Sequence, residues 1–260
     1  MIEPLIRRLL GKWTHRMPPP SDDETACGGF KRTESQYTIL SEKTRQQYRA
    51  VLHSFLPFRD TCTCIPLEPR SPATDIARPG WRNHDLPPLD ALSLYCFLCL
   101  KNPNNYFEIG SGSATRFARQ AIRDGHLRTT MTVYDRLTYP GDPANLLADR
   151  RRRAPIPVVC GTITAALKPG DILHINVAAV PDRGLSAILD EIIPNLCPGV
   201  FVHLSKSLPL GDGVRIPEVI LSCADVSRDR DLQRILTPLW SEIGLDENEG
   251  RGMSCWVRTV

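Results

Sequence analysis

From residue 89 to the end of the chain, short apolar runs alternate with segments whose apolar residues recur at helical spacing. Apolar runs bounded by turn residues are typical of buried strands, and strands separated by helices favour a parallel sheet. The pattern predicts helices over 89–101, 115–124, 143–153 and 184–196, strands over 106–109, 130–134, 156–159, 171–180 and 199–205, and then a strand, a helix and a terminal strand within 219–260. We therefore predict an α/β fold, with a doubly wound, Rossmann-like, mostly parallel sheet flanked by helices and an antiparallel last strand.

The first part of the chain does not follow this pattern, and we divide the sequence into three parts. Residues 1–34 form a basic amphipathic segment and a linker, residues 35–88 a helix capped by Ser41 and a proline-rich arm or lid, and residues 89–260 the Rossmann-like domain. Within residues 1–17 the apolar positions recur at helical spacing among basic ones. This segment either packs on the domain, is disordered or makes peripheral contact with a membrane surface.

Composition and charge narrow the function classes only a little. Apolar residues make up 42% of the chain and the net charge is +3, which is ordinary for a globular protein and too small to indicate nucleic-acid binding. The arginines at 150–153 lack interleaved aromatic residues, so we assign them to the solvent-exposed face at the end of a helix. No apolar run reaches the roughly 18 residues of a transmembrane segment. The N-terminus lacks a clear secretory signal, so we expect a cytoplasmic protein.

Nine cysteines are many for a chain of this length. Cys96 and Cys99 form a Cys-x-x-Cys inside an apolar helix, but no second pair stands at the spacing of a zinc site. In a reducing cytoplasm we expect these two residues to be core thiols.

The phrase EIGSGSAT, at residues 108–115, joins the first strand of the domain to the next helix. Gly110 and Gly112 allow positive φ angles and let a ligand approach the backbone, and open α/β sheets bind ligands at the carboxyl ends of their strands. The dinucleotide pattern G-x-G-x-x-G needs a third glycine where this chain has Thr115, and the carboxylate of Glu108 would repel a pyrophosphate. The turn therefore favours a nucleotide-like ligand that carries a cationic group.

These residues resemble the E-x-G-x-G motif of class I S-adenosylmethionine-dependent methyltransferases, carried here by Glu108, Gly110 and Gly112. The second strand ends in MTVYDR, and Asp135 stands where the family's ribose-binding acid stands. One subgroup is also similar in the phrases PPLDALSLY, KPGDILHIN, CPGVFVHLSK and GMSCWVR, so that the likeness covers about residues 85–260. The resemblance implies S-adenosylmethionine as the cofactor, with Gly161 beside its adenine. The implied cofactor-binding residues are Glu108, Gly110, Ser111, Gly112, Asp135 and Gly161.

The chain departs from that subgroup where the chemistry is expected, after the fourth and fifth strands. Asn176 and Ala179 stand in the places of an aspartate and a histidine, and Ser205 and Lys206 in those of a histidine and an aspartate. A hard divalent metal prefers carboxylate oxygens. We therefore predict that this site holds no metal.

His203, His174 and Lys206 are the remaining candidates for orienting or deprotonating a methyl acceptor. The alternatives are buried histidines bonded to carbonyl groups and a solvated lysine. Two hypotheses for function follow. In the first, the protein is an enzyme that transfers a methyl group from S-adenosylmethionine to a small-molecule acceptor without a metal. In the second, it has a methyltransferase-like fold and binds S-adenosylmethionine or S-adenosylhomocysteine without catalysis.

Overall fold

The computed structural model describes residues 40–69, 75–135, 143–180, 182–205 and 218–260, and Leu40–Val260 form one compact unit. The strands form a single sheet in the order β3-β2-β1-β4-β5-β7-β6. They are β1 (Asn105–Ile109), β2 (Thr130–Asp135), β3 (Arg150–Arg153), β4 (Ile172–Ile175), β5 (Phe201–Leu204), β6 (Glu218–Ser222) and β7 (Cys255–Arg258). All pairings are parallel except those of β7, which runs antiparallel to β5 and β6 on its two sides. The predicted doubly wound sheet with an antiparallel last strand is confirmed.

Helices cover both faces of this sheet. They are α1 (Glu42–His53), α2 (Arg59–Thr63), α3 (Pro88–Lys101), α4 (Ser113–Asp124), α5 (Ile156–Ala166), α6 (Asp182–Ala187), α7 (Cys223–Val226) and α8 (Arg230–Ile243), with 3-10 turns at Leu56–Phe58, Pro143–Leu147, Val177–Ala179 and Ile193–Asn195 and a π turn at Ile188–Ile192. Helices α1, α3, α4 and α8 pack on one face, and α5 and the helical run after β4 pack on the other. The predicted N-cap is confirmed, because Oγ of Ser41 accepts a hydrogen bond from N of Thr44 at 3.1 Å.

Two predicted elements between residues 143 and 166 are wrong. The predicted helix over 143–153 is a 3-10 turn followed by β3, and the predicted strand over 156–159 is the first turn of α5. The β-branched residues of this turn suggested a strand. Pro157 has no backbone N–H, which a central strand would need as a hydrogen-bond donor but which the first turn of a helix leaves unpaired in any case. The four arginines are exposed because β3 is an edge strand.

The predicted strand over 171–180 is also shorter than expected. β4 ends at Ile175, and the next residues form the turn Val177–Ala179. N of Asn176 donates to the carbonyl of Ile109 at 2.9 Å, which brings this turn next to the end of β1. The sheet therefore ends one turn earlier at β4 than the apolar pattern predicts.

Helix α3 is buried from Leu89 to Leu98 and carries two buried polar groups. The carboxylate of Asp90 accepts hydrogen bonds from N of Met253 at 3.0 Å, from N of Ser254 at 2.9 Å and from Oγ of Ser254 at 2.6 Å. Oγ of Ser93 accepts a hydrogen bond from the indole N–H of Trp256 at 2.9 Å. These bonds fasten α3 to the segment that leads into β7.

The other edge of the sheet is β6, and helix α1 lies against it. The side-chain amide of Gln47 donates to the carbonyl groups of Val219 and Ile220 at 2.8 and 3.1 Å. This contact gives a hydrogen-bond donor to backbone carbonyl groups of the edge strand β6.

The described part of the predicted arm packs on the same core as α3, α4 and α8. Trp81 and Leu86 are buried, and the ring centroids of Trp81 and Phe117 are 5.2 Å apart. That the arm acts as a lid stays a prediction. Residues 1–34 of the predicted amphipathic segment and linker lie outside the described residues, as do 35–39 and 70–74.

Two further sequence predictions concern the thiols and the membrane. Cys96 is a buried free thiol and Cys99 a partly buried one. In the part of the chain that the structure describes, no helix has both the length and the apolar character needed to cross a bilayer.

We expect Asp90→Ala to lower the free energy of unfolding by about 2–5 kcal/mol, because the buried N–H and hydroxyl groups of Ser254 lose their acceptor. Asp90→Asn keeps an oxygen at this position and should cost less. Urea unfolding of both variants measures the difference. Equal and small losses for the two would mean that this contact contributes little to stability.

Candidate functional site

The glycine turn begins directly after β1, at the carboxyl edge of the sheet. Gly110 has a φ of +87°, and its N–H donates to the carbonyl of Tyr134 at 3.0 Å. A Cβ on Gly110 would lie 2.7 Å from Cβ of Ala179 and 3.2 Å from Cβ of Asn176. The turn after β4 therefore packs against this glycine, and the protein's own packing already requires a residue without a side chain here.

Glu108 lies beneath the turn and is fully buried. Its carboxyl group accepts hydrogen bonds from the hydroxyl groups of Thr115 at 2.7 Å and Tyr106 at 2.9 Å, and Oγ1 of Thr115 in turn accepts from N of Gly112 at 3.0 Å. Burial raises the pKa of Glu108 to about 8, and the charges on Asp135 and Asp85 act in the same direction. Glu108 thus fixes the shape of the turn from inside and does not line its outer surface.

Asp135 ends β2 and is brought together with Ser111 of the turn. Oδ1 accepts a hydrogen bond from N of Ser111 at 3.0 Å, and Oδ2 accepts from Oγ of Ser111 and from Nδ2 of Asn145, both at 3.0 Å. Asp135 is partly exposed. Sequence reasoning missed Asn145, which lies in the 3-10 turn Pro143–Leu147 and belongs to no motif.

Asp85 is the second residue in contact with the turn region that sequence reasoning missed. Its carboxylate accepts hydrogen bonds from N of Ser113 at 2.9 Å and from Oγ of the same residue. A Cβ on Gly112 would collide with Oδ2 of Asp85. An exposed carboxylate from the segment before α3 therefore lies on the first turn of α4, and Gly112 leaves room for it.

The two predicted catalytic histidines lie side by side on β4 and β5. Nδ1 of His174 and Nδ1 of His203 are 2.9 Å apart, and the His203 ring stacks on Trp256 with 4.4 Å between the ring centroids. Both side chains are buried. Burial lowers the pKa of His174 to about 3 and that of His203 well below its ordinary value, with the neighbouring His174 adding to the second shift. Both rings are neutral at pH 7.

Two neutral imidazoles bond through their Nδ1 atoms only when one ring carries its proton on Nδ1 and the other on Nε2. Nε2 of His203 is buried and has no hydrogen-bond partner within the described residues. Placing the proton of His203 on Nδ1 leaves no buried N–H without an acceptor, so His203 donates and His174 accepts. A pKa near 3 makes His174 a weak base at neutral pH.

The other predicted site residues are not all brought to the turn. Gly161 lies on the exposed side of α5, and a Cβ there would have nothing within 4 Å. It was expected beside an adenine because its phrase was assigned to a strand end. That strand assignment is wrong because the phrase is helical, and the contact with an adenine stays a prediction. Lys206 lies outside the described residues. Oγ of Ser205 accepts a hydrogen bond from N of Val177 at 3.0 Å and so ties β5 to the turn after β4. In the described ranges, no group of three or more His, Cys, Asp or Glu residues is arranged to hold a metal ion.

No family model matches this chain, and no curated protein matches it. The solved structures that are similar to it at low identity include two methyltransferases. The Podospora anserina methyltransferase PaMTH1, bound to SAH, is 14% identical, with 65% of this chain and 72% of that chain covered and a TM-score of 0.32. Coclaurine N-methyltransferase, bound to N-methylheliamine and SAH, is 14% identical, with 99% of this chain and 93% of that chain covered and a TM-score of 0.35. Likeness at this level assigns no family, and the fold is established by the order and direction of the strands.

We expect Gly110→Ala to destabilise the protein by about 2–4 kcal/mol, because alanine is strained at this φ and its Cβ would press on Ala179. Gly161→Ala is the matched control, since a helix-interior glycine in open space should gain about 0.5–1 kcal/mol on the same change. Thermal or urea unfolding of both variants tests this. Opposite signs are the expected result, and destabilisation by Gly161→Ala would contradict the placement of this residue.

Glu108→Gln should alter the pH dependence of stability. The folded chain holds the Glu108 proton up to about pH 8 while the unfolded chain releases it near the ordinary value of 4.5. The unfolded state therefore binds fewer protons in this window, and Glu108 makes stability fall as the pH rises through it, by at most about 1.4 kcal/mol per pH unit.

Glutamine resembles the protonated carboxyl group and does not titrate, so the variant should gain stability relative to the native protein from pH 5 to pH 8. Urea unfolding at several pH values measures the difference in stability between the variant and the native protein. Burial also raises the pKa of Asp90, to about 6, but Asp90 is present in both proteins, so its effect cancels in this difference. The exposed Glu247→Gln serves as the control. A stability difference that does not change with pH would contradict the assigned pKa.

Proposed function

We propose that this protein binds S-adenosylmethionine at the glycine turn and transfers its methyl group to a small-molecule acceptor without a metal ion. The observation that carries the proposal is the pair of hydrogen bonds between Ser111 of the turn and the carboxylate of Asp135. These groups lie at the carboxyl ends of β1 and β2, beside the point between β1 and β4 where the strand order reverses. Open α/β sheets bind nucleotides at this point.

In this proposal Asp135 holds the ribose. A carboxylate offers about four acceptor positions, and three of those on Asp135 are used by Ser111 and Asn145. Both ribose hydroxyl groups fit on this carboxylate once one of these bonds is given up. Ser111 and the glycines then present backbone groups to the rest of the cofactor, and Glu108 acts from below through Thr115.

The electrostatics of the turn support a cationic ligand. In addition to burial, the charges on Asp135 and Asp85 raise the pKa of Glu108, which indicates a negative potential at the turn. A pyrophosphate is disfavoured in such a potential, whereas the sulfonium and ammonium groups of S-adenosylmethionine are favoured. This is the physical reason for preferring this cofactor to a nicotinamide dinucleotide.

S-adenosylmethionine, when bound, supplies a methyl group on a positively charged sulfur. Methyl transfer is an in-line displacement, in which positioning the reactants provides much of the rate. We keep His174, His203 and Lys206 as the proposed residues for orienting or deprotonating the acceptor. For the two histidines, burial and a lowered pKa favour positioning over proton removal.

The second candidate function is a non-catalytic protein that binds S-adenosylmethionine or S-adenosylhomocysteine. The positions that carry acids or histidines in the resembled subgroup are used here for internal packing. Asn176 bonds to the end of β1 through its N–H, Ala179 packs on Gly110, and Ser205 bonds to Val177. These contacts leave the fold of the turn intact and supply no base.

Calorimetric titration tests the cofactor. We expect S-adenosylmethionine and S-adenosylhomocysteine to bind and NAD to give no heat, with binding weakened by Asp135→Asn and unchanged by Gly161→Ala. Absence of binding by both sulfur compounds would overturn both candidate functions.

Product analysis then separates the two. The protein is incubated with S-adenosylmethionine that carries a trideuterated methyl group and a panel of phenols, catechols and amines, with and without a chelator. A labelled product formed equally in both conditions supports the enzyme. Unchanged kcat in His174→Ala, His203→Ala and Lys206→Ala alike would show that the proposed catalytic roles are wrong.

A further inference from the structure

The carboxylate of Asp85 is a fixed part of the glycine turn. It is bonded to N and Oγ of Ser113 while the residue itself remains exposed. Two ordered bonds to one residue leave acceptor positions of this carboxylate directed away from α4. A charged acceptor therefore faces solvent at the outer side of the proposed cofactor site.

The segment that carries Asp85 is held on both sides. Trp81 and Leu86 are buried in the core. Between them, Oδ1 of Asn83 accepts hydrogen bonds from N of Leu86 at 2.8 Å and from N of Asp85 at 3.3 Å. Moving the backbone of this segment would break these contacts, and turning the carboxylate away would break its bonds to Ser113, so we do not regard it as a plug that leaves when a ligand arrives.

Asp85 and Asn176 both lie close to the same glycine. A Cβ on Gly112 would collide with Oδ2 of Asp85 and would lie 3.8 Å from Nδ2 of Asn176. Asn176, at the end of β4, has a neutral amide where the resembled subgroup has an aspartate. The negative charge on this side of the turn therefore comes from a different element, the segment before α3.

We propose that Asp85 accepts the α-ammonium group of the methionine part of the cofactor. The proposal rests on the proposed function and names a residue of that same site. A fixed carboxylate beside an ammonium group forms a charge-assisted hydrogen bond, which is stronger than a bond between neutral groups. Asp85 thereby selects ligands that carry the amino-acid part with its amino group.

The test compares S-adenosylhomocysteine with its deamino analogue, in which the α-amino group is replaced by hydrogen. We expect native protein to prefer S-adenosylhomocysteine by about tenfold or more, the size of one charge-assisted bond. In Asp85→Asn this preference should fall to about twofold or less, while affinity for the deamino analogue stays within about twofold of native. Asp60→Asn, an exposed acid on α2, is the matched control and should keep the native preference.

The outcomes separate this inference from the proposed function. If native protein binds both ligands equally well, or if Asp85→Asn weakens both to the same extent, Asp85 does not receive the ammonium group, although cofactor binding stands. If Asp85→Asn binds both more tightly, the carboxylate occupies the ligand's place. If native protein binds neither ligand, the proposed function itself is wrong. The comparison of the two ligands on native protein needs no variant, so equal binding of the two overturns the inference even if Asp85→Asn does not fold.

Discussion

The fold depends on the buried hydrogen bonds that fix the apolar helix α3 to the segment leading into β7. Asp90 of α3 accepts hydrogen bonds from the backbone of the segment before β7, and Ser93 accepts one from the indole of Trp256. The same indole stacks on His203, whose ring is bonded to His174 on the next strand. Because buried polar groups cost free energy when they are unpaired, this row of contacts specifies one register for helix and sheet. A helix before the first strand is thus connected through the last strand to the strands that end at the candidate site.

Most of the fold could be predicted from the sequence because its central strands are short apolar runs separated by helices. β1, β2, β4 and β5 are buried on both faces, and such strands differ clearly in pattern from the helices between them. The errors in the type of element lie at the edge. β3 has four arginines and no apolar alternation, because water and not a core surrounds its side chains. The following Ile-Pro-Val-Val was then taken for the missing strand, although its proline fits a first helical turn.

Only the part of the candidate site that is formed by residues at the ends of strands could be predicted from the sequence. The glycine turn and Asp135 belong to neighbouring strand ends, and a parallel sheet places such ends together without further information. Asp85 is brought to the turn by the packing of Trp81 and Leu86, which leaves no periodic trace in a proline-rich segment. The interior position of Glu108 was also hidden, because spacing identifies a strand face but does not say whether a helix covers it.

The two ends of the sheet have different outer surfaces, and this bears on self-association. An edge strand with free backbone groups can pair with a strand of another molecule and start aggregation. At β3, a second copy would have to bring its own row of exposed arginines against Arg150–Arg153, and like charges oppose that approach. At β6, Gln47 of α1 already binds the carbonyl groups of Val219 and Ile220. One end of the sheet is thus protected by charge and the other by a helix, so growth of the sheet from molecule to molecule is disfavoured at both.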